Sequence, residues 1–544
     1  MTTTLHPLCG TTYICNEPVA ILYEPVEVPP NNNSYFAILP EEIIVKVLEC
    51  CDSETVLACQ LTCRALRNFI VNSTSLRYKL ALAENGLCDG PKPQNEDDGT
   101  GNGGGSSSGG KTAISTAEKM ELLSAYASAW QNLSSAQPVK ASMLIGWSAP
   151  VAVSANVVVF SKRHNNNDNG GTGEPTLDLL VYRVPSALRQ IECAHWTLSL
   201  PANVNELCID VAQDLLIYVL DGTFHACMLS SGAAHPLVEH EGFFKMWSAS
   251  RRFDVSNLSV CGDYVAAVTR TYFISVWNWK TGDLVSDLKV SEVRFSSFEF
   301  IDEHHIAYAV SKEDSVYVYD LRRHGIGDHG EKVESEPICF QLELPPIDRA
   351  TTSRYIQFRR NALPTREQAW GVGSAGSGTP PPFQADPRER LVVLRIVTSP
   401  VERGEEQFEL HVPTRVLLER SAALRGSGGA TLPWSAWRDL VRVTSSRRLP
   451  YIVPAYMVAY GRRVVSHPPD WDRGVLHVDS YSPRRTRRGY GDDDDARGTR
   501  HAVKLPEELA GKENLLSALC EDALLCYKLD SSLSRISHAY WYTF

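Results

Sequence analysis

Apolar residues recur at intervals of three and four between residues 38 and 87, which is the spacing of helices with one apolar face. Pro40 is followed by two glutamates, and both features favour the start of a helix. Asp52 or Ser53 can cap a second helix, and a third helix is expected to end where Asn72 breaks the pattern. The pattern therefore predicts three short helices.

Beyond residue 148 the apolar residues are grouped differently, in short runs rich in β-branched and aromatic side chains. Turn sequences such as KTGD, SSGA and KEDS separate them. The runs read VAVSANVVVF, LDLLVYRV, DLLIYVL, YVAAVT, YFISVWNW, HIAYAVS, SVYVYDL and RLVVLRIV. This pattern predicts antiparallel sheets, so we expect an α+β chain in which a small all-α domain precedes a large all-β domain.

Related features of the β domain recur at nearly constant intervals. Trp277 and Tyr319 lie 42 residues apart in similar runs, and Gly232 precedes Gly282 by 50 residues. Such an interval is typical of the four-stranded blades of a β-propeller. The segment ISVWNWKTGDLV resembles the end of a WD-repeat blade, with Asn278 where the signature usually has Asp. We predict a degenerate β-propeller of roughly six to eight blades, with a large β-sandwich as the alternative fold.

The helical segment is small for an independent domain. A unit of about 40 residues is near the limit at which one apolar core is sufficient without disulfides, a metal or a partner. Its apolar positions also outnumber those that a three-helix core can bury. Two interpretations follow: the segment binds a partner protein, or it is a private cap that packs against the rest of the chain.

The order of residues in this segment resembles an F-box over roughly 40 positions. The resemblance is carried by Leu39-Pro40-x-Glu42-Ile43, Val47-Leu48, Asp52, Val56-Leu57, Cys59, Leu61, Cys63-Arg64 and Phe69-Ile70. Some positions depart from the family pattern. Cys50 and Cys51 stand where an aromatic residue and Leu are common, Glu54 replaces the usual Pro, and Leu66 replaces a frequent Trp.

Two later segments extend the resemblance to F-box proteins of basidiomycete fungi. LRYKLALAENGL is similar to a Leu-x-Tyr-x-x-Glu-Leu-Ala segment that follows the motif there, although the family usually has Glu near Ala81. AISTAEKMELLSAYASAWQNL is similar to their next helix. In this second segment Ser115 and Glu118 have the spacing of a capping box, and apolar residues form one stripe.

F-box proteins bind the small Skp-family adaptor of SCF ubiquitin ligases, and through it a cullin scaffold, while a second domain presents a protein substrate. The F-box itself performs no chemistry. The resemblance therefore implies a substrate receptor that is not an enzyme. The residues that it places against the adaptor are Leu39, Pro40, Glu42, Ile43, Val47, Leu48, Val56, Leu57, Leu61, Cys63, Leu66, Phe69 and Ile70. The alternative is a β-propeller enzyme or small-molecule-binding protein with a private helical cap.

A Gly/Ser-rich stretch contains GSSSGGKT, which satisfies the phosphate-binding pattern G-x-x-x-x-G-K-[ST] at residues 105–112. A phosphate-binding loop requires a buried strand before it and a helix after it. No apolar residue precedes Gly105 closely enough to form that strand, so we interpret the stretch as a linker. The predicted boundaries are 1–37 for an extended lead-in, 38–87 for the F-box, 88–112 for the linker, 113–136 for a connecting helix and 148–544 for the propeller.

Composition excludes several classes of function. Lys and Arg number 53 against 64 for Asp and Glu, which gives a net charge of −11, so the chain lacks the positive field that favours nucleic acid. The N-terminal sequence does not resemble a signal peptide, and no apolar run is long enough for a membrane span. We expect a cytoplasmic or nuclear protein whose fourteen cysteines are reduced. No catalytic, metal-binding or cofactor-binding motif is identified, and the Cys59-x-x-x-Cys63 pair lacks further ligands.

Overall fold

The structure of the chain is a computed structural model with two compact units, divided between Ser73 and Thr74. The described residues are 39–90, 114–164, 175–186, 188, 191–204, 206–239, 243–245, 256–269, 273–289, 297–310, 313–324, 338–346, 351–358, 382–400, 406–424, 429–447, 459–466, 475–481, 498–510, 515–532 and 534–543. The predicted lead-in and the GSSSGGKT stretch lie outside these residues.

The first unit contains the three predicted helices. They are α1 (Glu41–Cys50), α2 (Ser53–Thr62) and α3 (Arg64–Asn72), and α3 packs against both of the others. The Asp52 side chain accepts a hydrogen bond from the backbone N–H of Thr55 at 2.6 Å, which caps α2 as the sequence indicates. The helix prediction for this segment is therefore confirmed.

The second unit begins with two helices and a short strand. These are α4 (Thr74–Asn85), β1 (Leu87–Asp89) and α5 (Thr116–Gln131). The predicted capping box is confirmed, because the Ser115 hydroxyl accepts from the N–H of Glu118 at 3.3 Å and the Glu118 carboxylate accepts from the N–H of Ser115 at 2.7 Å. Thus β1 occupies two residues of the predicted linker.

Seven sheets of at least four strands form the blades of the described β domain, and all but one of their strand pairs are antiparallel. Blades 1 to 3 consist of β3 (Pro150–Ser154), β4 (Val157–His164), β5 (Thr176–Arg183) and β6 (Ala194–Pro201); β7 (Leu207–Asp210), β8 (Leu215–Leu220), β9 (Thr223–Met228) and β10 (Phe243–Lys245); and β11 (Ser256–Cys261), β12 (Tyr264–Thr269), β13 (Phe273–Asn278) and β14 (Leu284–Lys289).

Blades 4 to 6 follow the same plan with insertions. They consist of β15 (Ser297–Asp302), β16 (His305–Val310), β17 (Ser315–Asp320) and β18 (Ile338–Glu343); β19 (Thr351–Phe358), β21 (Leu391–Pro400), β22 (Glu406–Pro413) and β24 (Arg442–Arg447); and β25 (Ala459–Tyr460), β26 (Arg463–Ser466), β27 (Val475–Tyr481) and β28 (Gly498–Lys504). The insertions contain β20 (Phe383–Ala385), α6 (Thr414–Ala423) and β23 (Ala430–Leu432), and β23 adds a parallel fifth strand to β18.

Blade 7 is built from strands that are distant in sequence. It combines β29 (Leu515–Leu519), β30 (Ala523–Leu529) and β31 (Ile536–Thr543) with β2 (Val139–Lys140), which pairs with β31 as the outermost strand. The β domain therefore starts upstream of residue 148, where the sequence analysis begins it. Two residues are too short a run to show an alternating pattern.

The sequence intervals correspond to equivalent positions in successive blades. Trp277 and Tyr319 lie on the third strands of blades 3 and 4. Gly232 and Gly282 follow the third strands of blades 2 and 3, and each donates its N–H to the carbonyl of the last strand residue, at 2.7 and 2.8 Å. The propeller prediction is confirmed with seven blades, and the sandwich alternative is not.

The largest apolar cluster joins the two helices of the second unit to the propeller. Leu123, Tyr126 and Trp130 of α5 are buried in it together with Tyr78 and Leu82 of α4. The cluster also contains buried side chains of blades 1, 6 and 7. α4 and α5 therefore form a helical cap on the propeller, which we call the cap together with β1.

Gly86 connects α4 to β1 at a position that excludes a side chain. Its φ is +68°, and a Cβ atom there would lie 2.6 Å from Cδ of Arg462. The guanidinium of Arg462 donates to the carbonyl oxygen of Ala83 at 2.9 Å and forms an ion pair with Glu389 at 2.6 Å. A side chain at residue 86 would therefore displace the arginine that holds the end of α4.

We expect Gly86→Ala to lower the free energy of unfolding of the second unit by more than the roughly 1–2 kcal/mol that a left-handed backbone costs a residue with a Cβ. Gly222→Ala is the matched control, because Gly222 has a φ of +76° and nothing lies within 4 Å of its Cβ position. Denaturant unfolding monitored by intrinsic fluorescence compares the two variants. Equal losses of unfolding free energy in the two variants would show that the clash with Arg462 contributes nothing beyond the cost of the backbone conformation.

Candidate protein-binding surface

Helix α1 carries two apolar faces. Ile44 and Leu48, four residues apart, are 2% and 4% exposed and contribute to the buried side of the helix. Ile43 and Val47, also four residues apart, are 47% and 53% exposed, and Leu39, which precedes the N-cap residue Pro40 and lies outside the helix, is 44% exposed. One face of α1 is therefore buried within the fold, whereas the other presents two branched aliphatic side chains to solvent.

Two further aliphatic residues of the first unit are exposed. Leu61 on α2 is 88% exposed, the largest fraction among the large hydrophobic side chains of the described residues, and Val71 on α3 is 48% exposed. Scattered exposed apolar residues are normal, but a group of this size on a unit of three short helices is typical of a protein interaction site. We call Leu39, Ile43, Val47, Leu61 and Val71 the exposed apolar set.

The residues that the sequence analysis places against an adaptor divide into three groups by burial. The exposed group is Leu39, Pro40, Glu42, Ile43, Val47, Leu61 and Cys63; the half-buried group is Leu57, Leu66 and Phe69; and the buried group is Leu48, Val56 and Ile70. The buried group supports the fold of the unit and is not available for direct contact in this structure. The sequence analysis does not identify Val71, although it lies on the same helix as Ile70.

Cys63 caps helix α3, a role in which Ser, Thr, Asp and Asn are more common. Its Sγ accepts a hydrogen bond from the N–H of Leu66 at 3.5 Å, and it occupies the N-cap position of α3. Its carbonyl oxygen accepts from the N–H of Arg67 at 3.1 Å, the first bond of the helix. The exposed thiol thus stabilises the start of α3.

Charged side chains lie on α1 near its exposed apolar residues. Lys46 and Glu49 form an ion pair at 2.8 Å on the solvent side, and the carboxylate raises the pKa of the lysine through that hydrogen bond. Glu41 and Glu42 lie in the first turn, where their charge complements the helix dipole. An apolar row with charged neighbours provides both a surface to bury and groups that orient a partner.

Exposed large apolar side chains also occur in the second unit, where Val139 on β2 and the nearby Met143 and Ile145 are 58%, 38% and 48% exposed. Leu237, Leu284 and Val443 are exposed singly in blades 2, 3 and 5. Trp437 is buried, and its indole N–H donates to the carbonyl oxygen of Glu343 at 3.0 Å. No group of three His, Cys, Asp or Glu side chains within the described ranges forms a metal site.

A family model described as F-box-like matches residues 36–83, a span that includes α1 to α3 and most of α4. The match covers a small part of the 544-residue chain. It supports the resemblance for the helical segment. No curated protein sequence matches the chain significantly.

Solved structures similar to the chain include WD40 propellers. The WD40 domain of SCAP from fission yeast has a TM-score of 0.36 and 12% identity, covering 75% of this chain and 97% of that one. The WD40 domain of Toxoplasma gondii coronin has a TM-score of 0.34 and 8% identity, covering 76% and 87%. Kluyveromyces lactis Hsv2p has a TM-score of 0.33 and 10% identity, covering 70% and 88%. The strand pairing of this chain, rather than these distant similarities, establishes its fold.

Membrane insertion through a helix finds no support in the described residues. No helix there combines the length and the apolar composition that a bilayer span requires.

Proposed function

We propose that this protein is the substrate-recognition subunit of an SCF-type ubiquitin ligase. The helices α1 to α3 bind a Skp-family adaptor, and through it a cullin scaffold, while the propeller binds a target protein. The chain itself catalyses no reaction and acts in the cytoplasm or nucleus. We also propose that the chain is related to the F-box proteins of basidiomycete fungi.

The observation that carries the proposal is the exposure of Leu39, Ile43 and Val47 within the family match over residues 36–83. Ile43 and Val47 lie four residues apart on one helix face and Leu39 lies just before the helix, so that an apolar groove of a partner can bury the three side chains together. Burying a side chain of this kind contributes about 1.5–3 kcal/mol. Burial of these partly exposed side chains therefore contributes a part of the binding free energy of a docking unit.

A recombinant Skp-family adaptor tests this proposal directly. We expect Val47→Asp to weaken the complex by roughly 30-fold or more, since a hot-spot residue contributes at least about 2 kcal/mol to binding. Isothermal titration calorimetry with the full chain measures the affinity. Val139→Asp is the matched control, because Val139 is 58% exposed but lies on β2 of the propeller.

Equal affinities of the Val47→Asp variant and the unaltered chain would contradict the proposed contact. Failure of the unaltered chain to bind any Skp-family adaptor would favour the second candidate, a β-propeller enzyme or small-molecule-binding protein with a private helical cap. The packing of α4 and α5 on the propeller is the observation that favours this candidate. A thermal-shift screen with metabolites would then identify the ligand class.

A further inference from the structure

The Gly/Ser-rich segment is flanked on both sides by elements that are held on the propeller. Before it, β1 pairs antiparallel with β20 over Leu87↔Ala385 and Asp89↔Phe383. The N–H of Gly90 extends this pairing to the carbonyl oxygen of Pro382 at 3.0 Å. After it, α5 is buried in the cluster that includes blades 1, 6 and 7. The segment 91–113 therefore leaves and rejoins the same unit.

Two consecutive arginines on blade 6 each hold one helix of the cap. Arg462 caps the end of α4, where its guanidinium donates to the carbonyl oxygens of Ala83 at 2.9 Å and Glu84 at 3.3 Å. The guanidinium of Arg463 lies 4.2 Å from the ring centre of Trp130 on α5. Both arginines are less than a tenth exposed, and cation–π contacts strengthen when they are removed from water.

Tyr126 joins α5 to a second part of the propeller. Its hydroxyl accepts from Arg463 at 3.0 Å and donates to the carbonyl oxygen of Glu521 at 2.9 Å. The Glu521 carboxylate in turn accepts from the N–H of Ala385 on β20 at 3.0 Å. Helix α5, strand β20 and the first turn of blade 7 are therefore linked by buried hydrogen bonds, which are stronger than exposed ones.

We propose that the cap holds the first residue of α4 as a fixed attachment point on the propeller, and that Arg462 and Arg463 are its positioning residues. Ser73 alone separates α3 from α4. The boundary between the two compact units therefore lies at Ser73, and the Gly/Ser-rich segment, which has the second unit on both sides, does not connect them. The proposal rests on the proposed function only in naming α1 to α3 as the adaptor-binding part.

Distance measurements on the full chain test the position of the joint. Fluorophores are attached through non-natural residues at positions 61 and 237, where Leu61 and Leu237 are 88% and 54% exposed. One variant carries about twelve added Gly/Ser residues, with an r.m.s. span of roughly 20 Å, between Gly104 and Gly105. The other carries the same insertion between Ser73 and Thr74. Single-molecule energy transfer reports the distribution of distances.

We expect the insertion at residue 104 to leave the distribution unchanged and the insertion at residue 73 to broaden it. A shifted or broadened distribution for the first insertion would overturn the proposal, and so would an unchanged one for the second. Neither measurement includes an adaptor, so failure here and failure of the proposed function are observed separately.

When the positioning residues are removed, the insertion at residue 104 should change the distribution of distances. In the Arg462→Met/Arg463→Met background we expect amide exchange in α4 and α5 to accelerate at least tenfold while that of β13 and β17 in blades 3 and 4 is unchanged. The insertion at residue 104 should then broaden the distance distribution. Faster exchange without broadening would show that the two arginines stabilise the cap but do not position it. If exchange accelerates throughout the domain, the milder Arg463→Lys variant replaces the double substitution, with the same expected pair of results.

Discussion

Replacing Leu48 by Asp is expected to unfold the first unit completely. Leu48 is 4% exposed, and an ionised carboxylate placed there would lose its hydration at a cost of several kcal/mol. The helices α1 to α3 comprise about 30 residues, so their whole stability is on the order of 1.5–4.5 kcal/mol at the usual value per residue. A single buried charge is therefore sufficient to remove the folded state.

Hydrogen exchange measured by mass spectrometry over α1 to α3 checks this prediction. Protection of the amides in these helices should disappear in the Leu48→Asp variant, whereas the blades of the propeller retain theirs. Val47→Asp is the control, because it introduces the same group at the adjacent residue, where the side chain is 53% exposed. Retained protection in the Leu48→Asp variant would contradict the burial of this residue.

The two aspartate variants also distinguish two causes of weaker adaptor binding, which are loss of a contact and loss of the fold. Both are expected to abolish or weaken binding, but only Leu48→Asp does so by removing the fold. An adaptor assay alone would therefore assign Leu48 to the contact surface, together with Val56 and Ile70, which are buried as well. Exchange data are needed to decide which of the F-box positions touch a partner.

The second large effect is expected in the propeller, where Arg390→Met should destabilise the domain by about 3–5 kcal/mol. Arg390 is 1% exposed, and its guanidinium forms an ion pair with the Glu299 carboxylate at 2.6 Å. It also donates to the carbonyl oxygen of Phe300. The substitution removes this guanidinium from the buried carboxylate of Glu299.

Thermal unfolding of the single and double variants tests the origin of this effect. Glu299→Gln combined with Arg390→Met removes both charges, so the double variant should regain a large part of the lost stability. A double variant that is less stable than Arg390→Met alone would show that the ion pair is not the main contribution. In that case the hydrogen bond to Phe300 and the packing of the arginine stem would account for the loss.

Local signals made the helices and the blade interval predictable. Asp52 and the pair Ser115 and Glu118 cap helices through bonds within three residues, so their spacing in the sequence is sufficient to place them. The interval between Trp277 and Tyr319 reflects a repeated unit, which appears in the sequence whatever the contacts between blades. These features depend on neighbours along the chain.

Features that depend on distant residues were not predictable. Strands β1, β2, β20 and β23 have two or three residues each and exist because of their pairing partners, which lie more than 80 residues away. His305 is buried, with Nδ1 2.8 Å from the Asp302 carboxylate and Nε2 3.1 Å from the Ser421 hydroxyl. Nothing near His305 in the sequence indicates Ser421.

The candidate surface was predictable in position but not in orientation. The spacing of Ile43, Ile44, Val47 and Leu48 predicts two apolar rows on one helix, and either row could form the buried side. The structure shows that Ile44 and Leu48 form the buried row, which depends on tertiary packing and not on their spacing. The family pattern does not separate the rows either, because it includes residues of both.

The pairing of Lys140 with Tyr540 has a consequence for biosynthesis. The outer strand of blade 7 leaves the ribosome some 400 residues before its partner, so the circle of blades stays open during most of translation. Blades 1 to 6 can form hairpins in order, but the ends of the ring meet only after β31 has emerged. A ribosome that stalls before β31 would therefore release a chain with an unpaired β2 and an open ring, which is a substrate for chaperones or proteases.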